Sequence, residues 1–351
     1  MRSSCFHTYL RTRVNILASR LFSEQDITQL LTLTLDEIGE KYALQSILHE
    51  ATDPLQSSHI LERAMLHLLM LEFLLLLRPI VHEPRDLLLY WSRKFELYNL
   101  KTLIRGKLND LDIETIRDDL YDLPDKIRLP HEALLHAENV LEMLRLLERG
   151  PYASIARQAR QVYEAQNEPF SLDAAIDRLY YSGMFAHTRN AAVTDRPGLH
   201  RLTRNMIDRQ NILWLLRYRF AYHFAPSKAY YLLIPEGGQI GRKQLMQLAN
   251  LESFDSLIDN LPAPYSNHLN GVNNSMQVRQ RLDLMVSDVA RRLIRTSPCA
   301  VVSALSYLVI REKDLRRLFA IVQGRILDLD MATIEEAVLG FASTPLLQET
   351  S

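Results

Sequence analysis

Cysteine is nearly absent from this chain. Cys5 and Cys299 are the two in 351 residues and form no CxxC pair, which excludes a disulfide framework and a thiolate zinc site and fits a reducing compartment. An excess of charge of one sign is lacking too. Lys and Arg number 41 against 42 Asp and Glu, so no net field draws the protein to nucleic acid or to an anionic membrane, and no local basic patch stands out. No nucleic-acid partner is expected. Long hydrophobic runs are missing as well. The most apolar stretch, "AMLHLLMLEFLLLL" from Ala64 to Leu77, includes His67 and Glu72 and stops at Arg78-Pro79, well short of the ~20 residues a membrane helix needs. It reads as a core helix, and the chain is expected to have no transmembrane segment of its own. The first residues, with Arg2, Cys5 and His7, lack the apolar core and small-residue cleavage site of a signal peptide.

What is present describes a folded, helical protein. A composition of 47% hydrophobic and 24% charged residues is that of a globular chain, and the length suffices for two or three domains with their own cores. Strand-like alternation is scarce. "SEQDITQLLTL" opens with Ser23 as an N-cap and Asp26 three residues on, and "SLDAAIDRLYYSGMF" reads as a helix from Ser171 to near Gly183. Gly and Pro collect between helical stretches, above all in "PEGGQIG" (235–241) and "PAPYSNHLNGVNN" (262–274), read as the longest loops.

One motif is written more than once. In "FELYNLKTLIRGKLNDLDIETI", Leu97, Leu100, Leu103, Ile104 and Leu108 gather on one helical face, and Asp112 opens the next helix. Moving Glu96 by 218 positions gives Asp314, and the same shift matches Gly106 with Gly324, Asp112 with Asp330 and Ile116 with Ile334. A middle copy lies 112 positions on, at Asp208, pairing Asn99 with Asn211, Arg105 with Arg217 and Lys107 with Arg219. The third copy is looser, with Arg317 in place of the Asn and Gln323 in place of the Arg. The spacing predicts three similar helical modules, 1–120, 121–232 and 233–351, around a pseudo-threefold axis or as a short open array. Asn99 and Asn211, set among apolar residues, need satisfied hydrogen bonds and are expected to tie neighbouring helices together.

Catalytic and cofactor motifs do not emerge. The histidines of "HEALLH" (His131, His136) are five apart, about 140° round a helix, where a zinc protease motif needs four, about 40°. The glycines of "EGGQIG" (237, 238, 241) fit neither dinucleotide nor P-loop spacing. A turn before a helix is the better reading. No catalytic residue, metal or cofactor is expected, and a hydrolase built on His131 or Glu132 is the weakest alternative.

Six stretches in register carry a resemblance: "YLRTRVNILASRLFSEQDITQLL", "FELYNLKTLIRGK", "LDAAIDRLYY", "IDRQNILWLLRYRF", "YYLLIPEGGQI" and "YLVIREKDLRRLFAIVQGRI". Together, from about Tyr9 to about Leu339, they are similar to the central-stalk component of V-type ATPases, known as C in prokaryotic complexes and d in eukaryotic ones. The resemblance implies an all-α funnel or collar of three domains. It would be seated on the membrane proteolipid ring and receive the rotating stalk in its socket, as a peripheral, cytoplasmic, non-catalytic coupler for proton or sodium transport. ATP hydrolysis then belongs to other subunits. Arg105, Lys107, Arg217 and Arg219 become candidates for meeting acidic groups on the stalk, since Arg makes forked bonds to carboxylates. The competing reading holds each Arg to a structural pair. Glu96 or Asp208 lies nine residues earlier, ~13.5 Å along a helix, so such a partner must come from a neighbouring element. A soluble helical-repeat adaptor unrelated to a pump is the other function the modules allow.

Overall fold

The structure is a computed structural model that describes residues 2–42, 44–45, 48, 54–166 and 168–340. All regular secondary structure among them is helical, as the sequence predicts. In chain order the elements are α1 (Arg2–Ala18), α2 (Glu24–Thr32), α3 (Leu35–Tyr42), α4 (Pro54–Leu77), α5 (Glu83–Leu108), α6 (Ile113–Asp118), α7 (His131–Leu135), α8 (Val140–Leu147) and α9 (Ala153–Gln166). There follow α10 (Pro169–Arg189), α11 (Arg196–Leu216), a π-helical turn (Arg217–Ala221), α12 (Pro226–Leu232), α13 (Arg242–Ala249), α14 (Phe254–Asp259), α15 (Tyr265–Leu269), α16 (Ser275–Thr296), α17 (Ala300–Ile326) and α18 (Met331–Gly340).

The chain divides into two compact units. One holds Met1–Val81, Val193–Leu202 and Asn267–Ser351, the other His82–Ala192 and Thr203–Ser266. In the first, α17 is the central helix, with 22 of its 27 residues buried, and α1, α4, α16 and α18 pack against it. The apolar segment 64–77 lies in α4. No helix among the described residues is long and apolar enough to cross a membrane. Its one acid inside the apolar run, Glu72, is met by Arg311 of α17, whose Nε and Nη2 each donate at 3.0 Å, and by the Tyr307 hydroxyl at 2.5 Å. A forked pair of this kind lets a carboxylate sit in a leucine-rich helix face.

In the second unit α5 lies against α10, and α9 against both α8 and α10. Lys101 of α5 bonds Asp177 of α10 at 2.9 Å, and Tyr180 donates to Trp91 O at 3.0 Å. Two boundary expectations differ here. Ser171 is not a cap: the helix begins at Pro169 after Glu168, and the Ser171 hydroxyl bonds back to the Glu168 carboxylate. Gly183 does not end the helix, which continues to Arg189. A Cβ at Gly183 would stand 1.9 Å from the Tyr90 hydroxyl, so this glycine serves close packing against α5. Segment 262–274 is only partly a loop, because it contains α15 with Tyr265 fully buried.

The helix–turn–helix predicted around Gly106 is present, and it recurs at Gly324. Leu111 N donates to Gly106 O at 3.0 Å and Leu329 N to Gly324 O at 2.9 Å. Asp112 and Asp330 accept from Thr115 N and Thr333 N, both at 2.9 Å. Asp110 (φ 52°) and Asp328 (φ 51°) take the left-handed turn position that short polar residues tolerate. In the middle copy that position is His223 (φ 53°), one residue later than a shift of 112 requires. The π-helical turn absorbs the extra residue, and Phe224 N reaches Tyr218 O at 2.8 Å.

The glycines are there for Ile. A Cβ at Gly106 would lie 2.5 Å from Ile116, and one at Gly324 would lie 2.6 Å from Ile334. Gly106→Ala and Gly324→Ala are each expected to cost about 1–3 kcal/mol through overpacking, measured by urea unfolding. Combining Gly106→Ala with Ile116→Ala should cost less than the sum of the two single changes. Strict additivity would show that the two positions do not crowd each other.

Candidate functional site

The repeated acid is deeply buried in each copy. Glu96 and Asp208 are 0% exposed and Asp314 is 1% exposed. A carboxylate so placed needs donors, and each takes them from backbone at the start of a short helix. Glu96 Oε2 accepts from Leu129 N in a short bond. Asp208 accepts from Gln239 N at 2.7 Å and Ile240 N at 3.1 Å. Asp314 accepts from Phe22 N at 2.8 Å. The glycines of "EGGQIG" have their role here. Gly237 has φ 98°, and a Cβ at Gly238 would stand 2.1 Å from Asp208 Oδ1, so the loop wraps the acid closely.

Two further side chains complete the arrangement. Asn99 donates to Tyr121 O and accepts from Tyr121 N, both at 2.9 Å, and Asn211 treats Ile234 the same way at 3.1 and 2.9 Å. The Asn is thus satisfied as the sequence demands, but it ties its helix to the chain that follows the next short helix rather than to another helix. A tyrosine also stands by each acid. Tyr265 donates to Asp208 Oδ2 at 2.7 Å. Burial, then the charge of Glu96, raises the Tyr152 hydroxyl above its ordinary range. Tyr42, raised chiefly by burial, also feels Asp314 and packs edge-on against Phe22 at 5.9 Å.

The four basic residues singled out in the sequence lie in the second unit. Arg105 is exposed and its Nε donates to Lys101 O at 3.3 Å, while Lys107 is half-buried in the same last turn of α5. Arg217, in the π-helical turn, bonds the Tyr222 hydroxyl at 2.7 Å and stacks on its ring. Arg219 donates to Phe224 O at 2.6 Å and Leu251 O at 3.1 Å. None of these hydrogen bonds goes to Glu96 or Asp208, which are held instead by backbone amides and, at Asp208, also by the Tyr265 hydroxyl. Sequence reasoning missed this because an amide has no side-chain signature. The available signal was an acid at one offset in all three copies, with a double glycine beside one of them.

His131 of "HEALLH" opens α7, with Nε2 3.4 Å from Asn99 Nδ2 and 3.9 Å from Glu96 Oε2. Burial lowers its pKa. It lines a groove of about 600 Å³ with Arg117, Arg128 and Glu132, and among the described residues no group of His, Cys, Asp and Glu is placed to hold a metal. Of the two cysteines, Cys299 is buried with its thiol on Thr194 O at 3.2 Å. The Cys5 side chain lies outside the described residues.

All three acids have raised pKa values, with burial the first cause. Glu96 rises to about 8 against the Leu129 amide and the Arg128 charge. Asp314 rises to about 6, opposed by the Phe22 amide and by Arg291, Arg317 and Arg311. Asp208 is raised against the Tyr265 hydroxyl and two amides. The unfolded chain releases the Glu96 proton near pH 4.5, while the folded chain keeps it to about 8. This group therefore subtracts stability as pH climbs through that window, by at most about 1.4 kcal/mol per pH unit. Glu96→Gln keeps an oxygen for the Leu129 amide and cannot ionise. In urea unfolding its stability relative to the unaltered protein is expected to increase steadily from pH 5 to pH 8. A difference independent of pH would refute the raised pKa.

The sequence matches a family model described as ATP synthase (C/AC39) subunit over residues 10–337. It is similar to the C subunit of the A-type ATP synthase of Methanosarcina mazei, 22% identical over 348 residues, an alignment covering 96% of this chain and 94% of that relative. It is also similar to the C subunit of the A-type ATP synthase of Halobacterium salinarum, 25% identical over 333 residues, covering 91% and 93%. The family match takes in all three acid-bearing helices and the loops they hold, and the chain belongs to the ATP synthase (C/AC39) subunit family.

Proposed function

We propose that this chain is a non-catalytic central-stalk subunit of a V/A-type ATPase, coupling the rotating stalk of the ATP-hydrolysing part to the membrane proteolipid ring. In this reading it is cytoplasmic and peripheral, built as three modules in a collar coaxial with the ring. The observation that carries the reading is the family match from residue 10 to residue 337, which takes in all three copies of the long helix and its anchored loop. Physical properties support it. A coupler must pass torque without yielding, and long buried helices with hydrogen-bonded turns resist local opening better than loops do.

Arg105 and Lys107 are the residues proposed to meet acidic groups on the stalk. They share the last turn of α5, where Arg105 is exposed and free to form forked bonds with a partner carboxylate. Arg219 is different, because its guanidinium already holds two carbonyls.

A tagged chain recovered from gently solubilised membranes is expected to bring down the proteolipid, stalk and nucleotide-binding subunits together, identified by mass spectrometry. Recovery of the chain alone would reject the coupling role. In the same assay Arg105→Gln with Lys107→Gln should reduce stalk recovery while leaving unfolding within about 1 kcal/mol of the parent. Arg219→Ala should instead lower stability by about 1–3 kcal/mol.

A further inference from the structure

The three buried acids hold three helix starts, but chain order breaks at the third. Glu96 and Asp208 take amides from residues 129 and 239–240, in the stretch that follows their own helix. Asp314 takes the amide of Phe22, 292 residues upstream. The correspondence extends well beyond the carboxylate. Leu129, Ile240 and Phe22 are buried apolar residues at 2%, 3% and 5% exposure, and each stands immediately before a helix cap: Pro130, Gly241 and Ser23. The fourth helical residue is buried and apolar in every case, being Leu134, Leu245 or Ile27. Its amide donates to the cap carbonyl at 3.1, 2.9 and 3.1 Å respectively. A buried apolar residue before the cap and another at the fourth position form the pattern of a hydrophobic staple, here written three times. A second short helix follows each one (α8, α14, α3), and a tyrosine comes after it (Tyr152, Tyr265) or ends it (Tyr42).

We infer that residues 22–42 are the second half of the third repeat, so that the repeat runs circularly through the chain and the N-terminal segment is a strap that fills the slot on α17. Additional bonds fasten it within the same unit. Arg291 Nη2 donates to Phe22 O at 2.7 Å, Arg325 Nη2 to Leu31 O at 2.6 Å, and Arg11 Nη1 to Pro298 O at 3.3 Å. Phe22 is therefore held at both its amide and its carbonyl. The slot recognises an apolar residue, a capping residue and an apolar fourth position, with a free amide turned to the carboxylate. The α7 and α13 starts present the same chemistry to α5 and α11. Equal thirds cut from residue 1 separate this strap from the helix it completes. In the coupling function proposed above the strap would keep the third repeat able to bear load, but the inference rests on contacts inside one unit and stands or falls without that function.

Hydrogen exchange followed by mass spectrometry on the full chain tests it. Asp314→Ala is expected to speed exchange of the Phe22 to Leu31 amides at least tenfold while leaving Leu129–Leu135 and Gln239–Leu245 unchanged. Glu96→Ala should release only Leu129–Leu135. Asp314→Asn, whose side-chain oxygen still accepts the Phe22 amide, should keep most of the protection, which separates a freed strap from general unfolding. Unchanged exchange at Phe22–Leu31 in Asp314→Ala would overturn the inference, as would loss of protection in all three regions together in the Asn variant. Partner recovery from membranes is read separately, so failure of the strap and failure of the coupling role are distinguishable.

Discussion

A carboxyl group taken wholly out of water, facing the amide that begins a short helix, is the constraint on which the rest of this molecule depends. Such a group is costly unless donors meet it, and here they come from backbone that has no intrahelical partner to give. The amide thereby gains an acceptor, and at least one oxygen of each acid gains a donor. The bond fixes the azimuth of α5, α11 and α17, because only one face of each helix can present the acid. It also fixes where the next short helix starts. Buried apolar residues stand on either side of that amide, so a polar bond that determines register is set within an apolar contact.

Polar groups within the helices are handled in the same economical way. Asn99 and Asn211 each satisfy both backbone groups of one residue, and Glu72 is absorbed by Arg311 and Tyr307. Removing one partner of such a set leaves the other buried and unpaired, which is more destabilising than the bond itself is stabilising. The outcome is a helical framework whose elements are keyed to one another at a few positions. This suits a member of the ATP synthase (C/AC39) subunit family proposed to transmit motion rather than to perform chemistry.

Much of this was legible before the fold was known. Period-3.6 apolar spacing located α5 and its buried face, Ser23 with Asp26 announced a capping box that is present, and Asp112 and Asp330 were readable as caps. Other features misled for identifiable reasons. Ser171 resembles a cap, yet Pro169 can occupy the first helical turn, which moves the start back. Gly183 resembles a stop, but its lack of a side chain admits Tyr90. The basic residues could be found by their repetition, whereas their partners, which are carbonyls and a tyrosine hydroxyl, could not.

By itself the sequence determined the helical class, the three copies of the acid-bearing helix, and the turn chemistry at Gly106 and Gly324, because these follow from local spacing and from residue size. Tertiary structure alone decided that each acid would bond an amide rather than an arginine, and that Asp314 would find its amide at Phe22. A backbone N–H is the same in every residue but proline, so no pattern of side chains marks which one a buried carboxylate will take. Only the packing of α2 against α17 brings residues 22 and 314 within 2.8 Å.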